Sequence, residues 1–98
     1  MIKPTLPTNE QERLEALEAY QVLDTEAEKA FDDLTILASR LCQTPIDLVS
    51  LIDPERRWFK ARVGLDACET ERDIAFCAHA IHQPEVMEVR DTLQDERF

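Results

Sequence analysis

From Asn9 to Gln43 the apolar positions recur at helical spacing. Leu14, Leu17 and Tyr20, with Leu23 beyond them, mark a narrow stripe on an acidic segment. Asn9 followed three positions later by Glu12 is a capping-box pattern, so a surface helix is predicted to start there. Thr25 and Glu28 repeat that pattern before a second helix. Its Phe31, Leu34, Leu37, Ala38 and Leu41 fall at i, i+3, i+6, i+7 and i+10, a stripe that predicts packing on the core. Pro45 disfavours helical geometry at Thr44, so this helix ends near Gln43.

From Ile46 the period becomes two. Ile46, Leu48 and Ile52 point one way and Val49 and Leu51 the other, as in a strand covered on both sides. Asp53-Pro54-Glu55-Arg56 suits a type I turn, because the proline ring pre-sets the required φ. In the return strand Arg57, Phe59, Ala61 and Val63 alternate with Trp58, Lys60 and Arg62, and Gly64 lets the chain leave. Asp73 can cap a third helix with Ile74, Cys77, Ala78 and Ile81 on its apolar stripe, ended by Pro84. Val86 to Arg90 alternates briefly and predicts a third strand, and Asp91 to Phe98 looks like another helix start. Two helices, a hairpin, a helix and a strand make an α+β fold with an antiparallel sheet.

Composition narrows the partners. The 98 residues, 44% hydrophobic and 33% charged, fit one globular domain. With 21 acidic against 11 basic residues, the net charge of −10 argues against nucleic acid and anionic membrane surfaces, which need clustered Lys and Arg. No apolar run is long enough to span a membrane and MIKPTLPTNE lacks the core of a secretory signal, so a cytoplasmic location is expected. Cys42, Cys68 and Cys77 are too few and too scattered for a disulfide framework and are expected to be free thiols.

Candidate chemistry concentrates at Cys77-Ala78-His79 with His82 nearby, since a cysteine and two histidines can hold zinc or form a thiolate and its base. On a helix, Cys77 lies near the middle of the apolar stripe, whereas His82 lies on its flank and His79 further round. The thiol and the imidazoles diverge, and Cys77 reads as a core thiol. His79 is either a pocket donor or a solvated flank residue. Trp58 and Phe59 between Arg57, Lys60 and Arg62 read as hairpin packing rather than a nucleic-acid surface. Glu69, Glu71 and Asp73 read as capping or solvation at a helix start rather than as a metal or acid-base site. No Gly-rich phosphate loop, GxSxG elbow or HExxH motif is present. No catalytic residue, metal or cofactor is expected.

Ala30-Phe31-Asp32-Asp33-Leu34, Thr44-Pro45-Ile46, Leu48-Val49-Ser50-Leu51-Ile52-Asp53, Arg57 through Leu65 and Phe76-Cys77-Ala78-His79-Ala80-Ile81 occur in that order. Together they resemble the front part of a GAF domain, of the type found in bacterial sensor histidine kinases and diguanylate cyclases. The likeness runs from about residue 10 to residue 98. It implies an antiparallel sheet flanked by helices, with a small-molecule pocket beside the sheet and Phe76, Cys77, His79 and Ile81 near that pocket. Residues 1–24 would then be a lead-in and signalling helix, and residues 25–98 the front of the domain. The family's sheet continues beyond a third strand, so the chain is expected to be truncated there and to expose apolar surface and strand edges. A homodimer, or pairing with further domain segments, would cover them. No pigment-attachment or cyclic-nucleotide motif can be matched.

The resemblance implies a non-catalytic sensory or regulatory module that binds a small molecule or partner and relays to an output domain. One alternative is a thiol enzyme resembling the GAF-fold reductases of free methionine sulfoxide, which needs an accessible low-pKa cysteine. Another is a structural dimerisation module or a gene fragment.

Overall fold

The computed structural model describes residues 2–98 and has an α+β fold. Helix α1 spans Glu10–Tyr20 and α2 spans Lys29–Cys42; strands β1 (Asp47–Ile52), β2 (Arg56–Val63) and β3 (Glu69–Glu71) follow. A 3-10 turn at Arg72–Ile74 then leads into the short helix α3, Phe76–Ala80. The three strands form one antiparallel sheet in the order β1-β2-β3, with α2 lying across β1 and β2 and α3 resting against β1. No helix among the described residues is long and apolar enough to cross a membrane.

The hairpin forms where the sequence predicts it. The Asp53 carboxylate accepts the backbone N–H groups of Glu55 and Arg56 at 2.8 and 2.7 Å, closing the turn from its first residue. Helix α2 ends at Gln43, whose φ of 53° is left-handed, and the chain reverses into β1. Gly64, with φ of 77°, closes the far end of the hairpin: a Cβ there would lie 1.9 Å from the Pro45 carbonyl oxygen. Any side chain at that position would therefore push β2 away from the α2–β1 loop.

Within β2 the expected alternation fails. Val49 pairs with Ala61 but Ser50 pairs with Phe59, so Lys60 is the extra residue of a β-bulge. The consequence is a run of four buried residues, Trp58, Phe59, Lys60 and Ala61. Together with Ile52, Ala75 and Ala78 these make up the core.

The second helix also departs from expectation. Phe31, Thr35 and Ala38 turn toward the sheet, with Thr35 buried and its hydroxyl donating to the Phe31 and Asp32 carbonyls. Leu34, Leu37 and Leu41, placed on the core by their periodicity, are 58%, 53% and 75% exposed. Burying a threonine is affordable because its hydroxyl is satisfied inside its own helix.

Three further expectations are corrected. The third strand is Glu69–Glu71, not Val86–Arg90; Val86 is exposed and no strand among the described residues pairs with its segment. Arg56 donates to Glu69 and Arg57 to the Thr70 hydroxyl, so β3 is held by polar cross-strand pairs that an apolar alternation cannot reveal. The third helix is broken at Ala75, which is extended and buried, so that α3 starts only at Phe76. Beyond Asp91 the carboxylates of Asp91 and Asp95 close turns onto the backbone N–H groups of Leu93 and Arg97, and no helix forms.

Candidate functional site

Helix α3 can approach the sheet closely because its inward residues are small: Ala75 and Ala78 are almost fully enclosed. The four candidate residues then fan outward. The Phe76 ring lies 4.3 Å, centroid to centroid, from the Phe98 ring, and the His79 ring meets the same Phe98 edge-on at 5.0 Å. Nε2–H of His79 donates to the Ile2 carbonyl at 3.2 Å, and Nε2–H of His82 donates to the Thr5 carbonyl at 2.8 Å. Phe76 and His79 thus share one edge, where the first residues of the chain meet its last turn. Asp95 borders this edge, and the side-chain hydrogen bond from Arg97, aided by the Arg97 backbone N–H, holds its carboxyl down to about 2.

Cys77 points elsewhere, as helix geometry requires. Its sulfur is 4.0 Å from the Arg57 guanidinium, which also donates to the Thr70 hydroxyl and lies over the Phe59 ring. The thiol is half-buried rather than part of the enclosed core. Ile81 lies apart from the other three, lining a groove of about 610 Å³ with Thr5, Leu6, His82 and Pro84. All three cysteines are free thiols, and Cys42 and Cys68 are exposed. Among the described residues no group of three or more His, Cys, Asp or Glu side chains is placed to hold a metal ion.

A second concavity, of about 700 Å³, opens between α2, the Asp24–Ala27 segment and β2. Trp58, Thr35, Asp32, Arg62 and Cys68 line it, and its deepest charge is Lys60, whose side chain is 1% exposed. The ammonium donates to the Thr25 hydroxyl at 2.7 Å and the Glu26 carbonyl at 2.6 Å, and it pairs with Glu28 at 2.7 Å beneath the Phe31 ring. Thr25 and Glu28, predicted to cap α2, instead hold this lysine. The buried charge is fully partnered, as its burial demands. Beside it, Arg56 is clamped between Asp24 and Asp53. Burial pushes the Asp53 carboxyl up, but the Arg56 side chain and the turn's backbone N–H groups outweigh that and leave it below its ordinary value.

The chain matches no protein-family model. Across all 98 residues it is 38% identical to a stretch of a cyclic di-GMP phosphodiesterase of Pseudomonas aeruginosa. It spans 17% of the length of that protein. The chain is therefore similar, along its whole length, to part of a signalling protein.

Sequence reasoning brought Phe76, Cys77, His79 and Ile81 forward on one short motif, and the structure joins only Phe76 and His79. It missed Lys60, Arg57 and Phe98. Lys60 and Arg57 read as part of the hairpin's packing, and the polar partners that single them out lie 13 or more residues away in the chain. The only local signal was an unusual density of cations around two aromatic residues.

Proposed function

We propose that the chain is a GAF-type sensory or regulatory module of a bacterial signalling protein, located in the cytoplasm and not itself catalytic. It takes a small molecule or partner at the edge carried by α3 and relays its occupancy to an output domain. The observation that carries this reading is the 38% identity maintained over all 98 residues with part of a signalling enzyme. A phosphodiesterase or other output activity belongs, in this reading, to segments outside these residues. Phe76 and His79 put an aromatic and an imidazole on one edge, where they now hold Phe98 and the Ile2 carbonyl, so a ligand would enter by displacing the last turn or the lead-in. The exposed stripe of Leu34, Leu37 and Leu41 is the surface that a second copy or a further domain segment would cover.

The test is a calorimetric screen of nucleotides and small metabolites against the natural protein that contains this segment, with the output activity assayed in parallel. At least one compound is expected to bind and to change the output, and Phe76→Ala with His79→Ala should weaken that binding at least tenfold. A screen with no binder and an output indifferent to deletion of residues 25–98 would refute the reading.

A further inference from the structure

Helix α1 has no buried residue, yet its first turn carries the carboxylate with the most hydrogen bonds among the described residues. Glu10 receives both guanidinium nitrogens of Arg72, at Oε1 and Oε2, and is also gripped by Arg13 at 2.8 and 3.0 Å. Arg72 is 4% exposed and donates in addition to the Asp53 carbonyl at 3.0 Å, while Arg13 donates to the Ile52 carbonyl. Two arginines therefore converge on one carboxylate at the end of β1, fixing α1 to the hairpin turn.

Arg72 is also the first residue of the segment leading into α3. Its backbone N–H donates to the Glu55 carbonyl and its own carbonyl accepts from Ala75, the buried residue that starts α3. A second link runs on the other side of α1: the lead-in lies along α3 through His79 to Ile2 and His82 to Thr5, and reaches Glu10 through its N–H to the Pro7 carbonyl. Pro4 and Pro7 on this lead-in are buried. Both ends of α3 are thus tied to the first turn of α1; β1–β2 has its own ladder, and the bonds from Arg13 and Arg72 to the Ile52, Asp53 and Glu55 carbonyls are the ones that must break for the two to part.

We propose that the Glu10–Arg72 pair is a conformational coupler, making α1 and the Arg72–Ile81 segment one cooperative unit that shifts or opens separately from the β1–β2 hairpin. Arg72 is a positioning residue in this device. The fork geometry matters, because a guanidinium can hold both carboxylate oxygens and the Asp53 carbonyl at once, which a lysine ammonium cannot do with the same rigidity. The proposal deepens the sensory reading by naming how α3 reaches α1, but it requires no ligand, so the two can fail separately.

Hydrogen exchange on the full chain in low urea tests it. In the wild-type protein the amides of residues 13–20 and 75–81 should share one opening transition, with the same urea dependence, below that of β1–β2. Glu10→Gln and Arg72→Lys should accelerate exchange at least tenfold in both segments together, leaving the hairpin amides within about twofold. Acceleration confined to α1, different urea dependences for the two segments in the wild type, or equal acceleration of the hairpin would overturn the coupler. The wild-type measurement decides the matter even where a variant does not fold.

Discussion

Helices α1 and α2 are fastened by opposite means. Helix α2 carries a long leucine stripe, yet turns much of it to solvent and meets the sheet through Phe31, Thr35 and Ala38. Of its apolar side chains helix α1 has only Leu14 and Leu17 half-buried, bordering a groove with Pro54, and it is pinned by Glu10 and Arg13, which are also half-buried. Apolar periodicity reports that a face seeks cover. It does not say whether that cover comes from within these residues. Position along the sheet is set instead by a few charges whose partners are far away in sequence.

The contrast is broken most directly at Arg72. Replacing it with alanine leaves the half-buried Glu10 carboxylate to Arg13 alone and removes the bond to the Asp53 carbonyl, and hydrogen bonds to charged groups are worth about 1.5–3 kcal/mol. Urea unfolding should show a fall of that order; a loss below about 1 kcal/mol would mean that α1 is held by something else.

Acid is a gentler probe of the same knot. Arg72 first, and Arg13 second, hold the Glu10 carboxyl down to about 2 from its ordinary 4.5. A depressed carboxylate contributes stability that is present above its unfolded pKa and disappears as the pH falls through the folded value. The urea midpoint should therefore decline from about pH 4.5 toward 2. Asp53 contributes to the same decline, since its carboxyl is also depressed. Glu10→Gln, less stable at neutral pH, should show a shallower decline, and an unchanged acid slope would remove Glu10 as its source.

The smallest effect is expected on α2. Leu34→Gln with Leu37→Gln should change the stability of the dilute chain by no more than about 0.5 kcal/mol, as for exposed positions generally. The same pair should abolish any self-association seen by sedimentation. A large stability loss without a change in association would show that the stripe is buried within the chain and that the two helices are less different than they look.

How much of this was legible follows from the range of each signal. The end of α2 at Gln43, the turn at Asp53-Pro54 and the exit at Gly64 are local, written in residues that touch their neighbours in sequence. Strand β3 was not legible, because Glu69-Thr70-Glu71 has no apolar alternation and is recruited by Arg56 and Arg57 across the sheet. The break at Ala75 was hidden because an alanine favours helix by itself and is extended here by its enclosure. Of the candidate site, the divergence of Cys77 from His79 could be read from helical angles alone. The meeting of Phe76 and His79 on Phe98 could not, since it depends on how the last turn folds back.

The bulge at Lys60 carries one more consequence. A regular strand has two sides and must give up an apolar place on one of them to send a charge inward. By holding one residue more than its partner requires, β2 admits an ammonium without evicting Phe59 or Ala61. Removing that single residue would leave Phe59 opposite Ser50 and Ala61 opposite Val49 in an unbroken ladder, while Thr25, Glu26 and Glu28 would lose the ammonium that gathers them. The extra residue therefore serves the packing of the segment before α2 and not the pairing of the two strands.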